Sequence, residues 1–257
     1  MHTNRLRERL AGGGKFLNGW VTSGNPLLAE VMANSGFDSI TLDMQHGDLH
    51  SGNLMAAIQA VASTNTVPLV RVPWNHPPDV MKALDLGAQG VICPLIETPE
   101  AAAAFVSACR YPPVGGRSYG PVRAGIRGAG DYYQHANASV MAIPMIETKL
   151  GLENLESILD VPGIDAIFVG PADLSQSLGM AVGPEWTEGV VFDALQRITS
   201  VCAARNVPTG VFTTSITYAR RMLELGYDFV TAGTDLAYVR AGGTAVTREL
   251  APLLTTS

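Results

Sequence analysis

Short apolar runs, rich in β-branched residues, alternate along this chain with longer stretches in which apolar residues recur every three or four positions. This alternation is typical of consecutive βα units and a parallel sheet. Eight runs are predicted to be strands: Phe16 to Val21, Ser39 to Asp43, Pro68 to Val72, Gly90 to Pro94, Ala142 to Ile146, Ala166 to Val169, Thr209 to Phe212 and Phe229 to Ala232. Eight such strands favour a closed (β/α)8 TIM barrel of the α/β class.

Four of these strands follow a similar phrase, in which a helix ends at a glycine and the strand begins a few residues later: SGFDSITLD, LGAQGVICP, VPGIDAIFVG and LGYDFVTAG. Glycine closes a helix in the left-handed conformation that other residues adopt at a cost. The repeat therefore indicates architecture and carries no chemistry.

One long segment, from Tyr111 to Ala138, interrupts the alternation between the fourth and fifth strands. It is rich in Gly, Pro, Arg and Tyr, and a loop of this length is usually functional. We expect it at the catalytic rim of the barrel. Its arginines, Arg117, Arg123 and Arg127, would hold either an anionic substrate tail or a neighbouring subunit.

The composition favours a single barrel domain and argues against a nucleic-acid-binding or membrane-spanning protein. A chain of 257 residues with 47% hydrophobic residues suits one barrel domain over residues 1–257. A net charge of −6 without a basic cluster argues against nucleic acid, and no apolar run is long enough to cross a membrane. The three cysteines have no metal or disulfide spacing, which predicts reduced core thiols. Without an export signal, we expect a cytoplasmic protein.

Polar residues follow several predicted strands at the point where each strand ends. The second strand ends in Asp43 with His46 just beyond it, the third contains Arg71, the fifth is followed by Glu147, and the sixth by Gly170 to Asp173. The carboxyl ends of the strands form the catalytic mouth of this type of barrel. We therefore expect these side chains to share one mouth.

These residue types suit carbon–carbon bond cleavage beside a ketone. Glu147 and Asp173 come from adjacent strands and could hold one hard divalent cation while leaving positions for water and a 2-oxo acid. Arg71 offers a permanent positive charge to a developing oxyanion. His46 can exchange protons near neutral pH.

Each of these residues also has a plain structural interpretation. A carboxylate after a strand is often a helix N-cap, as Asp173 before Leu174 and Ser175 illustrates. Arg71 alone fits a structural ion pair, and His46 alone fits a loop histidine. Their placement together at the ends of four strands favours a catalytic site.

At this point the sequence resembles the HpcH/HpaI aldolases, whose members include 4-hydroxy-2-oxoheptanedioate aldolase and 2-keto-3-deoxy sugar acid aldolases. The resemblance covers almost the whole chain, in the family's order and spacing. It rests on the segments SGFDSITLDMQHG, PLVRVPW, ALDLGAQGVICPLIET, RYPPVGGRSYG, PMIET and LDVPGIDAIFVGPADLSQSLG. It implies a barrel of the phosphoenolpyruvate/pyruvate type and a homo-oligomer, a hexamer built as a trimer of dimers.

The resemblance also implies roles for residues. His46 would be the proton acceptor, with Asp85 raising its basicity, and Arg71 would stabilise the transition state. Glu147 and Asp173 would bind Mg²⁺, Mn²⁺ or Co²⁺, with Asp43 near the metal-bound waters.

Substrate contacts are expected from Arg71, Met145, Gly170, Pro171, Ala172 and Asp173. Two positions depart from the family pattern: Met145 stands where an amide is expected, and Gln45 where Glu is usual. A thioether cannot donate a hydrogen bond, so specificity is expected to differ. Asp85 ends a helix ahead of the fourth strand, which places it at the far rim of its own barrel. Either a neighbouring subunit or an irregular helix end would be needed to bring an Asp85 to His46.

The resulting interpretation is a metal-dependent lyase that cleaves a 4-hydroxy-2-oxo acid into pyruvate, or a related 2-oxo acid, and an aldehyde. A Schiff-base aldolase needs a lysine in the mouth, and none of Lys15, Lys82 and Lys149 ends a strand. The same residues also fit an acyl-CoA lyase of the citrate lyase β-subunit type, and a barrel that binds 2-oxo acids without catalysis.

Overall fold

Eight parallel strands close into a barrel in which each strand pairs with its neighbours in chain order and β8 pairs with β1. The computed structural model describes residues 4–127 and 130–254. The elements in chain order are α1 Arg5–Ala11, β1 Phe16–Val21, α2 Pro26–Ala33, β2 Ser39–Asp43, α3 Leu54–Ala62, β3 Val67–Arg71, α4 Pro77–Asp85, β4 Gly90–Cys93, α5 Pro99–Cys109, α6 Ala124–Arg127, α7 Tyr132–Ser139, β5 Met141–Ile146, α8 Lys149–Glu153, α9 Leu155–Leu159, β6 Ile167–Val169, α10 Pro171–Ser177, α11 Gly189–Ala204, β7 Thr209–Thr213, α12 Ile216–Leu225, β8 Phe229–Ala232 and α13 Asp235–Leu254.

The barrel predicted from the alternation is confirmed, and each predicted strand lies within one residue of its observed bounds. The small differences have local causes. β4, for example, ends at Cys93 because Pro94 has no N–H to donate to the ladder. The core positions predicted for the three cysteines are confirmed, since Cys93, Cys109 and Cys202 are buried and unbridged in the described part of the chain.

Side chains inside the barrel come from alternate positions of each strand, as the period of two requires. Interior residues form one hydrophobic cluster, with Phe229 stacked on Phe16 at 4.5 Å between ring centroids. The outward-facing strand residues form a second, larger cluster with the helices. A side chain that follows the interior alternation past the carboxyl end of a strand therefore projects into the mouth.

The opposite end of the barrel is closed by α1. Leu6 is buried and belongs to the interior cluster, and Asn4 caps the helix by accepting a hydrogen bond from the Leu6 N–H. The Asn4 amide donates to the carbonyls of Gln89 and Ser139, which precede β4 and β5. The amino ends of the strands are therefore covered by α1, which leaves the carboxyl ends as the mouth of the barrel.

The prediction that the segment from Tyr111 to Ala138 borders the catalytic rim is wrong for its own barrel. α5 returns the chain to the amino ends of the strands, so the segment after it begins at the far rim. Arg110 pairs there with Asp165, which precedes β6, at 2.6 Å. The Arg123 N–H donates to the carbonyl of Asp85 at the end of α4. The segment includes α6 and α7, and the Arg127 side chain lies outside the described part.

The last helix, α13, packs on the barrel only near its start. The buried Asp235 accepts hydrogen bonds from the backbone N–H groups of Thr22 and Ser23, which fixes the helix to the turn after β1. Most of the rest of this 20-residue helix is exposed, including large apolar side chains. These are Leu236, Tyr238, Val239, Val246, Leu250, Leu253 and Leu254.

Among the described helices, none combines the length and the apolar character that crossing a bilayer requires.

Gly210 offers a test of interior packing. A Cβ at this position would lie 2.1 Å from Cε2 of Phe229, whose ring is already stacked on Phe16. We expect Gly210→Ala to lower the free energy of unfolding by about 3 kcal/mol and the midpoint of thermal unfolding by about 6 to 12 °C. Gly125→Ala is the matched control, because its Cβ would make only ordinary contacts with Pro121. Equal midpoints for the two variants in a thermal melt would contradict this packing.

Candidate active site

The ends of β2 and β3 meet in a buried ion pair. Asp43 lies in register with Arg71, and both continue the interior alternation of their strands. Arg71 donates from Nε to Oδ1 of Asp43 at 2.8 Å and from Nη2 to Oδ2 at 2.6 Å. Such a bidentate contact fixes the plane of the guanidinium. The positive charge of Arg71 is therefore held in one orientation at the mouth.

Trp20 on β1 supports this pair from the barrel interior. Its indole N–H donates to Oδ2 of Asp43 at 3.2 Å, and the guanidinium carbon of Arg71 lies 4.9 Å from the centre of its ring. Burial alone would raise the pKa of Asp43. The hydrogen bonds and charge of Arg71, together with the Trp20 and Gln45 N–H donors, more than offset burial and leave that pKa below its ordinary value. Asp43 is therefore a carboxylate over the working pH range.

The same carboxylate organises the turn that carries His46. Oδ1 of Asp43 accepts the backbone N–H of Gln45 at 3.0 Å and that of His46 at 3.3 Å. The His46 residue is exposed, and its ring makes no hydrogen bond within the described part of the chain. The imidazole is thus tethered beside the mouth with both ring nitrogens available.

Glu147 brings a buried carboxylate to the mouth directly after β5. The residue is 2% exposed, and its Oε1 accepts the backbone N–H of Leu95 at 2.8 Å. Its other oxygen, Oε2, accepts no hydrogen bond from the residues described. Burial raises the pKa of Glu147 to about 7; the Leu95 N–H opposes this shift, the negative charge of Asp173 adds to it, and Arg71 opposes it. A carboxylate so perturbed in a cleft is typical of a functional group.

Gly170 leaves space for this carboxylate at the end of β6. A Cβ on Gly170 would lie 2.4 Å from Oε2 of Glu147 and 3.2 Å from Cε of Met145. Met145 is buried and belongs to the interior cluster, one residue pair below Glu147 on the same face of β5. The absence of a side chain at residue 170 thus gives Oε2 its room.

Asp173 lies in the first turn of α10, which starts at Pro171 after Gly170. The residue is exposed, and its charge reaches Glu147. The N–H groups of the first helical residues have no partner within the helix, so those of Ala172 and Asp173 are available at the mouth. A hydrogen bond of 2.8 Å from the Lys149 N–H to Oγ of Ser177 joins the turn after Glu147 to α10.

The donor set suits a hard cation in an open site. Glu147 and Asp173 offer carboxylate oxygens, and no cluster of three or more His, Cys, Asp or Glu occurs in residues 4–127 and 130–254. Mg²⁺ is commonly held by one or two carboxylates together with waters and substrate oxygens. The free Oε2 of Glu147 beside a second carboxylate fits such an open site. These residues do not fit a closed structural metal site, in which protein ligands fill every coordination position.

Asp85 lies apart from the other predicted residues. It ends α4 at the far rim, where its Oδ1 accepts a hydrogen bond from Nη2 of Arg117 at 2.7 Å. Arg117 is fully buried, with its guanidinium carbon 4.4 Å from the centre of the Tyr111 ring. Within one chain, the structure therefore does not bring Asp85 to His46.

Two contributors to the site, Trp20 and the Leu95 N–H, were not among the predicted residues. The alternation of β1 could have predicted Trp20, because it lies two residues after Asn18 and so faces the barrel interior, opposite Thr41 of β2. Leu95 acts through its backbone, which carries no residue-type signal. Of the remaining predictions, the structure brings Asp43, Arg71, Glu147 and Asp173 into one electrostatically connected group.

Comparison with known proteins identifies the family to which the chain belongs. The model of the HpcH/HpaI aldolase/citrate lyase family matches residues 18–241. A hydroxypyruvate/pyruvate aldolase from Rhizorhabdus wittichii is 37% identical over 95% of this chain and 97% of its own length. A 4-hydroxy-2-oxo-heptane-1,7-dioate aldolase from Salmonella dublin is 35% identical over 95% and 93%.

Solved structures give the same result. A protein of the same family from Burkholderia cenocepacia J2315 superposes with a TM-score of 0.91 and 33% identity, covering 96% of this chain and 99% of that one. The citrate synthase SbnG superposes with a TM-score of 0.84 and 29% identity, covering 95% and 96%. The chain belongs to the HpcH/HpaI aldolase/citrate lyase family and is therefore an enzyme that forms or cleaves a carbon–carbon bond.

Proposed function

We propose that the protein is a divalent-metal-dependent aldolase that reversibly cleaves a 4-hydroxy-2-oxo acid into an aldehyde and pyruvate or a related 2-oxo acid. The observation that carries the proposal is the buried Glu147 carboxylate, which keeps one oxygen free beside Asp173 and within the field of Arg71. Two full-length relatives named as 2-oxo acid aldolases support the same substrate class.

Glu147 and Asp173 would hold the cation, and hard oxygen ligands accept Mg²⁺, Mn²⁺ or Co²⁺. When bound, the cation would supply a Lewis acid that stabilises the enolate of the 2-oxo acid. One carboxylate oxygen of Glu147, Oε1, already accepts a hydrogen bond from the Leu95 N–H. Oε2 accepts no hydrogen bond from the residues described and would be the ligand atom, so the orientation of this ligand is largely set before binding.

Arg71 would stabilise the negative charge that develops as the carbon–carbon bond breaks. Its guanidinium is fixed by Asp43 and rests on the Trp20 ring, so its remaining N–H groups need no reorientation during the reaction. Asp43 acts by holding Arg71 and the His46 turn, since both of its oxygens already accept hydrogen bonds.

His46 would accept the proton of the C4 hydroxyl during cleavage and return it during synthesis. Asp85 would increase the basicity of His46 from a second copy of the chain, because its own barrel holds it at the far rim. The exposed apolar face of α13 supports a homo-oligomer, which the family resemblance suggests is a hexamer, a trimer of dimers. The three free buried thiols fit a cytoplasmic enzyme whose single domain contains the whole barrel.

The segment from Gly170 to Asp173 would bind the carboxylate of the 2-oxo acid through the free N–H groups of Ala172 and Asp173. Pro171 starts the helix without an N–H of its own, and Gly170 keeps the approach open. Met145 would contact the substrate through its thioether alone. We therefore expect the hydrogen bond that an amide would provide at residue 145 to be absent from substrate recognition.

The affinity for Mn²⁺ should depend on pH through Glu147. Because its pKa is raised to about 7 in the metal-free protein, a proton competes with the cation below that pH. The dissociation constant should rise as pH falls, by about tenfold for each unit below 7, and should level off above 8. Calorimetry from pH 6 to 8 in buffers of different ionisation enthalpy would measure both affinity and proton release. An affinity that does not change over this range would contradict the role of Glu147.

Replacing His46 by Ala should separate catalysis from metal binding. We expect turnover of a 4-hydroxy-2-oxo acid to fall by about 10² to 10⁴, with the Mn²⁺ affinity unchanged, because the His46 ring makes no contact with the proposed ligands. His135→Ala is the matched control, since His135 of α7 pairs with Asp131 at the far rim. Coupled detection of released pyruvate would measure turnover, and full activity in the His46 variant would eliminate its proposed role.

A further inference from the structure

Leu95 has a backbone conformation that leucine rarely adopts. Its φ is +54°, and only one other non-glycine residue in the described part of the chain, Asn206 with φ +56°, is left-handed. Asn enters this region readily because its short polar side chain bonds locally, whereas a Cβ-bearing apolar residue meets its own carbonyl there. A strained residue of this kind at the mouth of a barrel needs a cause.

Side-chain packing does not provide that cause. The Leu95 side chain is half-buried and belongs to neither of the two hydrophobic clusters. The conformation begins where Pro94 ends β4, and the chain there leaves the ladder with β5. The left-handed φ turns the following chain away from β4, and the Leu95 N–H at this turn donates to Oε1 of Glu147 rather than to a strand carbonyl.

This contact decides which oxygen of Glu147 stays free. With Oε1 held at 2.8 Å from the Leu95 nitrogen, Oε2 lies against the open side of Gly170, where no side chain is present. A buried carboxylate with one oxygen anchored cannot exchange its two oxygens freely or swing away from the mouth. The free oxygen is thus presented in a fixed direction.

We propose that Leu95 is a positioning residue: its left-handed backbone lets the chain turn away after β4 while its N–H stays directed at Glu147, and this contact orients that carboxylate for the divalent cation. This inference rests on the proposed function, because the cation is part of that proposal. Leu95 itself touches neither the cation nor the substrate. Its effect depends on the sign of its φ angle and on its N–H, and not on the leucine side chain.

The test uses substitutions that change the backbone preference at residue 95 and at the control site, residue 206. Leu95→Val keeps the N–H but disfavours positive φ more strongly, whereas Leu95→Gly keeps the N–H and adopts positive φ without strain. Leu95→Ala removes most of the side chain and keeps a backbone preference like that of leucine. Asn206→Val and Asn206→Gly make the matched changes in the turn after α11, at the far rim.

Mn²⁺ binding to the full-length, metal-stripped protein would be measured by the loss of the free-ion EPR signal, alongside thermal melts. We expect Leu95→Val to weaken Mn²⁺ binding by about tenfold or more, as loss of an outer partner of a metal ligand usually does. Leu95→Gly and Leu95→Ala should stay within about threefold of the unmodified protein. Asn206→Val should lower the midpoint of unfolding and leave Mn²⁺ affinity unchanged.

Two failures are distinguishable. If the unmodified protein does not bind Mn²⁺, the metal-dependent function is wrong and the role of Leu95 is rejected with it. If the unmodified protein binds Mn²⁺ and a folded Leu95→Val binds equally well, only the positioning role is overturned. A loss of tenfold or more in Leu95→Ala would also overturn it, and this variant decides the question if Leu95→Val does not fold.

Discussion

The cost of burying the Glu147 carboxylate is the constraint on which the mouth of this barrel depends. A carboxylate removed from water is destabilised unless it is neutralised or given partners, and Glu147 receives one backbone N–H and a distant positive charge. These partners do not fully offset the cost of burial, and the pKa of Glu147 is therefore raised to about 7. The neighbouring Asp173 increases the deficit. The site as folded is thus a place where added positive charge is favourable, which is the physical reason to propose a cation there.

Asp43, the second buried carboxylate of the mouth, is in the opposite electrostatic environment. Asp43 accepts hydrogen bonds from Arg71, Trp20 and two backbone N–H groups, and its pKa is lowered despite burial. Two acidic residues at the same rim therefore have different functions. Asp43 has hydrogen-bond donors on both oxygens and holds Arg71 and the His46 turn in place, whereas Oε2 of Glu147 accepts no hydrogen bond from the residues described. Environments that separate two carboxylates in this way are a common basis for dividing roles in catalysis.

The sequence predicted the barrel well because strand and helix periods are properties of local residue patterns. It also predicted which strand ends carry polar residues, since the alternation places Asp43 and Arg71 inside. Their bidentate geometry, by contrast, depends on the register between β2 and β3, which no local pattern gives. The roles proposed for His46, Asp85 and Glu147 stay predictions until they are tested.

Other features could not be predicted from the sequence, because they depend on contacts between distant parts of the chain or on backbone groups. The segment from Tyr111 to Ala138 lies at the far rim because α5 runs back to the amino ends of the strands. The length of this segment alone predicts the catalytic rim, which is wrong. The Leu95 N–H is a backbone group that every residue except proline carries, so no residue-type signal announces its contact with Glu147. The raised pKa of Glu147 depends on burial by elements distant in sequence. The most direct test is a crystal grown with Mn²⁺ and pyruvate: the account predicts an anomalous peak in contact with Glu147 and Asp173, and these two carboxylates turned apart with no metal between them would contradict it.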